Sequence, residues 1–172
     1  KESSQRLEIF DEASGKNVIP KVIEPTFGME RVFLALLVKG YNYDAKRQNI
    51  VLNLPAKLAP IKAAILPIVK NNEEFVKFSR EVFNLLRKDF HVFYDEAGSL
   101  GRRYARQDEI GTLYCITIDG ESINNKDVTI RERDTTKQIR IKIKNLKEIL
   151  RKLKNNEIKF DQAGKEVETR KK

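Results

Sequence analysis

Cysteine, histidine and tryptophan are almost missing from this sequence: it has one Cys, Cys115, one His, His91, and no Trp. A lone cysteine cannot close an internal disulfide, and no Cys/His set with zinc-ligand spacing can be assembled. Cys115 lies in an apolar run and reads as an inert small hydrophobe, and His91 as a core or rim histidine. No apolar run reaches membrane-spanning length, and no charged-then-apolar leader with a small-residue cleavage site opens the chain. A cytoplasmic location without a membrane partner is therefore expected. The phosphate-loop pattern G-x-x-x-x-G-K-[ST] and the nucleophile elbow G-x-S-x-G are also absent.

What is present is charge. Of 172 residues 34% are charged, against 40% hydrophobic, and the formal net charge is +9. Residues 1–130 hold 19 Lys/Arg against 18 Asp/Glu, whereas residues 131–172 hold 15 against 7. Excess positive charge confined to the last quarter suits a polyanionic partner such as nucleic acid, and equally a solvated basic helix and tail.

The hydrophobic patterning divides the chain. Leu7–Phe10 and Asn17–Glu24 read as strands joined by the turn-rich DEASGK. From Gly28 the period becomes helical, with Met29, Val32, Phe33, Leu36 and Leu37 on one side and Gly40 as the stop. Residues 41–58 are mixed, contain Pro55 and read as a connector between domains. An alternating series follows: strand Ile61–Leu66, a helix capped by Asn72, strand His91–Tyr94, helix Arg102–Ile110, strands Leu113–Ile118 and Val128–Arg133, a short strand Ile139–Ile143, and a helix capped by Asn145. Strand–helix–strand succession implies parallel pairing through right-handed crossovers, with 113–118 and 128–133 as an antiparallel pair. The expected fold is α/β: a mixed, mostly parallel five-stranded sheet flanked by helices over 59–155. A β-hairpin and helix over 1–40 precede it, and 156–172 form a charged, flexible tail.

Three constellations could carry chemistry. In VIEPTFGMERVF, Arg31 stands in the first turn of a helix, against the macrodipole. Either Glu24 or Glu30 neutralises it, or it gathers an anion together with the helix N-terminus. In GSLGRRYARQDEIGT, Arg102, Arg103 and Arg106 surround Tyr104 and precede Asp108 and Glu109. These residues form a local salt-bridge lattice or contact phosphates and base edges. In TIRERDTTKQIRIKIKN, alternation puts Arg131 and Arg133 on one face, and Arg140, Lys142 and Lys144 alternate likewise. That face is either a sheet surface for RNA or an edge protected by charge.

Taken together, these segments resemble a known family. VIEPTFGMERVFLALL is similar to motif 3 of class II aminoacyl-tRNA synthetases, in the form found in glycyl enzymes of the archaeal and eukaryotic type. LAPIKAAILP, YDEAGSLGRRYARQDEIGTLYC and VTIRERDTTKQIR resemble the anticodon-binding domain appended to that enzyme. The likeness runs from about Leu7 to about Leu153. It implies that 1–40 is the end of an antiparallel catalytic domain and 59–155 the class II anticodon-binding fold. Arg31 would contact the adenine and γ-phosphate of ATP beside Gly28, Glu24 the ammonium of glycine, and Thr26, where the family usually has serine, the amino-acid pocket. Arg102, Arg103, Arg106, Asp108, Glu109, Arg131, Arg133 and Gln138 would read the anticodon of tRNA(Gly) on its Watson–Crick edges. The implied parent is a homodimeric ligase that uses ATP with Mg2+, and no metal ligand is expected in this chain. Motifs 1 and 2 are not found, so these residues alone are expected to be inactive. The rival from another class is a non-catalytic RNA-binding or accessory protein that reuses the fold. Retention of Glu24 and Arg31 disfavours that rival, and Glu24-Pro-Thr-Phe-Gly disfavours the histidyl, prolyl and threonyl enzymes.

Overall fold

The computed structural model describes residues 7–69 and 71–167; the expected elements otherwise lie within that range, but residues 1–6 of the hairpin region and 168–172 of the tail lie outside it. The chain resolves into two compact units, residues 1–33 and 34–172.

The first unit holds β1 (Ile9–Asp11) and β2 (Lys16–Val18), an antiparallel pair with Ile9 opposite Val18. Asp11 closes the turn, accepting from the Ser14 hydroxyl and the Ala13 amide. β2 ends at Val18 instead of running to Glu24. β1 offers no residue beyond that register, and Pro20 has no amide hydrogen to continue a ladder. Residues 19–28 are irregular up to α1 (Met29–Gly40), the helix that leads into the second unit.

In the second unit, residues expected to connect domains instead form a hairpin, β3 (Tyr41–Asp44) paired with β4 (Asn49–Leu52). β5 (Ala63–Pro67), α2 (Glu73–Leu86) and β6 (Val92–Tyr94) follow, with the Asn72 side chain capping α2 as expected. Then come α3 (Leu100–Glu109), β7 (Tyr114–Ile118), α4 (Gly120–Asn125), β8 (Asp127–Glu132), β9 (Gln138–Lys142), α5 (Ile143–Lys154) and β10 (Lys165–Glu166). Asn145 does not cap α5. The helix starts two residues earlier, where the Ile143 amide donates to the Lys126 carbonyl, and Lys142 at the cap supplies no side-chain bond. Residues 119–126, expected as a loop, contain α4, which Asp119 and Ser122 close with a reciprocal capping box.

The mixed α/β sheet flanked by helices is as expected, and it carries a sixth strand, in the order β10-β9-β8-β7-β5-β6. β5 pairs in parallel with β6 and β7, while β7-β8, β8-β9 and β9-β10 are antiparallel. The added strand comes from the expected tail, where a 3-10 turn at Phe160–Gln162 stacks Phe160 on Tyr114 at 6.2 Å. That contact gives this stretch apolar burial that its charged composition conceals.

The two sheet faces differ chemically. Ala63 and Ile65 of β5, with Ile116, Ile118, Val128, Ile130, Ile139 and Ile141, bury one face under α2 and α5. Ala64, Leu66 and Cys115 meet Leu100 and Tyr104 of α3 on the other. There Thr117, Thr129 and Arg131 continue the face as polar groups. α3 ends at Gly111, with φ +80°, where a Cβ would stand 2.9 Å from the Leu52 carbonyl oxygen. Only glycine lets β4 approach so closely. Among the described residues no helix is long and apolar enough to cross a membrane.

Candidate nucleic-acid interface

β6 and β7 lie on opposite sides of β5, and the connecting helices α2 and α3 cover opposite faces. The chain therefore reverses direction between β5 and β7, and open α/β sheets bind ligands outside the carboxyl ends of the strands at such a point. Charged groups converge at this edge. The Arg103 guanidinium is buried and donates to the carbonyls of Pro67 (2.6 Å) and Asp95 (3.3 Å), tying the end of β5 to the loop after β6. Arg106 reaches the Asp95 carboxylate at 2.7 Å and the Ala97 carbonyl at 2.6 Å, with much of its side chain in solvent. Arg102, on the outer face of α3, is exposed. Beyond β7, Asp119 caps α4 and accepts from Arg140 at 2.6 Å. Arg140 also donates to Asp127 at 2.8 Å and lies 3.5 Å from exposed Glu121. Burial opposes ionisation of Asp119 most strongly, but bonds from Arg140 and Ser122 outweigh it and hold the carboxyl below its ordinary value.

The arginines of β8 behave differently from the exposed basic surface expected of them. Alternation does place Arg131 on the same face as Arg140, through the register Thr129↔Arg140 and Arg131↔Gln138. Arg131 and Arg133 are nevertheless buried, because α3 and the β3–β4 turn cover that face. Arg131 forms a two-pronged pair with Asp108 at 2.9 and 3.0 Å and lies 4.7 Å over the Tyr104 ring. Burial pulls the Arg131 pKa down most, yet the Asp108 bonds and charge raise it above its usual value. Arg133 donates to the carbonyls of Gly111 (3.0 Å) and Leu54 (2.9 Å) and pairs with Asp134 at 2.7 Å. Arg103, Asp108, Arg131 and Arg133 thus have their bonding capacity directed into the protein. They set the position of α3 on the sheet and are not free to meet a base.

The structure also separates the remaining predicted residues. Arg102 and Arg106 stand at the carboxyl edge. Glu109 ends α3, and Gln138 begins β9 opposite Arg131, so both lie toward the other end of the strands. Sequence reading missed Arg47, whose guanidinium donates to the Arg133 and Asp134 carbonyls at 2.8 Å and pairs with Asp44 at 2.9 Å and Asp108 at 3.4 Å. It also missed Asp95, Asp119 and Asp127. The capping pattern Asp119-x-x-Ser122 was the one local signal available for any of them. Cys115 is buried, and desolvation pushes its thiol up to about 12, which makes it inert.

In the first unit Glu24, Thr26, Gly28 and Arg31 are exposed. The Gly28 carbonyl accepts the Val32 amide at 3.1 Å, so Arg31 does fall in the first turn of α1. A Cβ on Gly28 would rest 3.6 Å from the Arg31 side chain. Neither Glu24 nor Arg31 forms an ion pair among the described residues, so local neutralisation of Arg31 by Glu24 or Glu30 is not what the chain uses.

The family model for the anticodon binding domain matches residues 62–153, from just before β5 to the end of α5. The chain belongs to the anticodon-binding-domain family. The family segment contains both the carboxyl edge and the buried Asp108–Arg131 pair, whereas Arg47 and the Glu24–Arg31 region lie outside it. Similar curated proteins include the glycine–tRNA ligase of Rhodopirellula baltica, 44% identical over 148 residues (82% of this chain, 27% of that protein). The glycine–tRNA ligases of Borrelia hermsii and Clostridium tetani are each 46% identical, covering 81% and 84% of this chain and 32% and 31% of their own lengths. This anticodon-binding-domain chain therefore spans about a third or less of the relatives it matches. A solved structure of prolyl-tRNA synthetase from Cryptosporidium parvum, complexed with halofuginone and AMPPNP, has a TM-score of 0.54 at 26% identity. It covers 60% of this chain and 23% of that one.

Proposed function

We propose that this chain is the anticodon-recognising part of a cytoplasmic glycine–tRNA ligase, together with the motif 3 edge of its ATP and glycine site. The observation that carries the reading is 40–46% identity to glycine–tRNA ligases across 81–87% of this chain, beyond the family domain on its amino-terminal side. In this proposal residues 59–155 bind tRNA(Gly), and 1–40 belong to the catalytic domain of a homodimeric parent.

Recognition is assigned to the carboxyl edge, where exposed or half-exposed hydrogen-bonding groups of both signs meet, Arg102, Arg106, Asp119, Glu121 and Arg140, with buried Asp95 holding Arg106 in place. Guanidinium and carboxylate side chains together can match the donors and acceptors of unstacked bases, which a purely cationic surface could not do. Arg103, Asp108, Arg131 and Arg133 act through position, by holding α3 against the sheet. Glu109 and Gln138 stand outside this edge and are given no base contact.

In the first unit, the proposal gives unpaired Arg31 to the adenine and γ-phosphate of ATP, with Gly28 allowing close approach, and Glu24 and Thr26 to glycine. Mg2+ is taken to enter with ATP, whose phosphates supply ligands for it. These residues hold neither motif 1 nor motif 2, so glycine activation belongs to the whole ligase.

The test is binding of the chain to tRNA(Gly) transcripts with native and substituted anticodons. Each lost base contact should weaken binding by about 1–3 kcal/mol on the scale of a good bidentate base contact. Equal affinity for all anticodons would refute the assignment and favour a general RNA-binding role.

A further inference from the structure

At the opposite end of the strands from the recognition edge lies a second charged surface. α2 and α5 both run antiparallel to the parallel strands and finish at this end, side by side. Arg87 and Lys88 follow α2 and are exposed. The exposed face of α5 presents Lys147 and Arg151, one turn apart, and both reach Asp89, at 2.6 and 3.7 Å. Lys154 stands 5.8 Å from the Phe90 ring. Its charge is also felt by Lys62, whose pKa is lowered chiefly by burial and then by Lys154. Arg87, Lys88, Asp89, Phe90 and His91 line a shallow, open hollow of about 250 Å3.

Local neutralisation does not account for this concentration. Arg87, Lys88, Lys147, Arg151, Lys152 and Lys154 contribute six positive charges against two carboxylates, Asp89 and Glu148, the latter paired with Lys152 at 2.7 Å. The carboxyl ends of α2 and α5 add roughly half a negative charge each. A net of about three positive charges then remains on one surface after the helix dipoles and the ion pairs have been satisfied. By contrast, the cations of the recognition edge are nearly matched by Asp95, Asp119 and Asp127. The two surfaces stand a five-residue strand apart, about 17 Å, and differ in kind. One is rich in paired, geometrically fixed groups, and the other is a cationic field whose positive charges outnumber its carboxylates.

We infer that this α2–α5 surface binds the phosphate backbone of RNA, as a contact independent of sequence that adds affinity to recognition at the carboxyl edge. The inference rests on the proposed tRNA-binding function and adds to it a second footprint. Lys and Arg side chains that outnumber the carboxylates beside them suit phosphates, which position an RNA and carry no sequence information. Backbone binding releases counterions, and that release gives the surface a signature separable from base reading.

The experiment measures the affinity of the chain for tRNA(Gly) as a function of salt, for the parent and two double variants, Lys147→Ala/Arg151→Ala and Arg87→Ala/Lys88→Ala. The second pair keeps Asp89 and its partners intact, so a fault in folding of the first does not decide the outcome. Loss of two phosphate contacts should lower the slope of log affinity against log salt by about 1.4–1.8 and weaken binding on the order of tenfold at 0.1 M salt. The ratio of affinities for native and substituted anticodons should not change. Parent-like slope and affinity in both variants would overturn the inference while leaving anticodon recognition standing. The same result, combined with lost binding to phosphatidylserine vesicles, would overturn it in favour of a membrane surface. A parent chain that shows no anticodon preference would instead count against the proposed function.

Discussion

Replacing Asp108 with Asn tests the central claim about the interface, that its most conspicuous cation is part of the scaffold. The Asp108 side chain is 2% exposed and that of Arg131 8%. Arg131 gives both terminal nitrogens to the two Asp108 oxygens, and its other close neighbours include the face of Tyr104 and the Cys115 thiol. Asn in this position turns one acceptor into a donor facing an N–H and removes the charge, which leaves a buried guanidinium uncompensated. Breaking a buried pair by removing one partner costs about 3–5 kcal/mol. Arg47 loses its 3.4 Å contact as well, but it keeps Asp44 and two backbone carbonyls and should add little. For a unit of about 140 residues the unfolding entropy is about 0.3 kcal/mol/K, so Tm should fall by about 10–17 °C. The double variant Asp108→Leu/Arg131→Met removes both charges and should recover most of the loss, since apolar replacement of a whole buried pair is often neutral or better. Calorimetry and urea unfolding of the three proteins give the numbers. A loss below about 1 kcal/mol for Asp108→Asn, or a double variant no more stable than the single, would refute the reading of this pair as a buried brace.

Two further perturbations probe the carboxyl edge and the first unit. Asp119 has a lowered pKa in the folded chain, so its contribution to stability is complete above the ordinary carboxyl value and declines as pH falls through the lower folded value. Asp119→Ala should therefore be destabilised at pH 7 by about 0.5–2 kcal/mol for the lost cap, and the gap to the parent should narrow only in acid, below the ordinary carboxyl value of 3.8, as urea unfolding from pH 7 to pH 3 would show. A gap that widened in acid would contradict the assigned sign. In the complete ligase, Arg31→Ala should impair glycyl-adenylate formation by at least an order of magnitude more than tRNA binding, measured by pyrophosphate exchange and filter binding. Comparable losses in both would contradict the separation of roles.

Elements whose periodicity is long and local were legible in the chain itself. α2 carries Phe75, Phe78, Val82 and Leu86 at helical spacing behind a capping Asn72, and β5 is an unbroken apolar run buried on both faces. Short elements escaped notice. The β3–β4 hairpin mixes polar and apolar residues over four-residue strands, α4 is a polar six-residue helix, and β10 is two residues that become a strand only by pairing with β9. None of these contains enough residues for a period to declare itself, and each is held by partners elsewhere in the chain.

The same division runs through the site. Composition and order alone determined that the chain is an α/β protein of basic character with one inert cysteine. They also determined which side of β8 carries Arg131 and Arg133, because side chains in a strand alternate whatever surrounds them. Whether that side meets water or protein was decided only by tertiary structure. Asp108 comes from 23 residues before Arg131, and Arg47 reaches the Arg133 carbonyl across 86 residues. A guanidinium has the same sequence whether it is solvated or buried, and the difference lies in the desolvation and pairing that long-range packing imposes. Tertiary structure turned the arginines of β8 into braces. It gathered Asp95, Asp119 and Arg140 from three separate segments at the edge where β5 and β7 end.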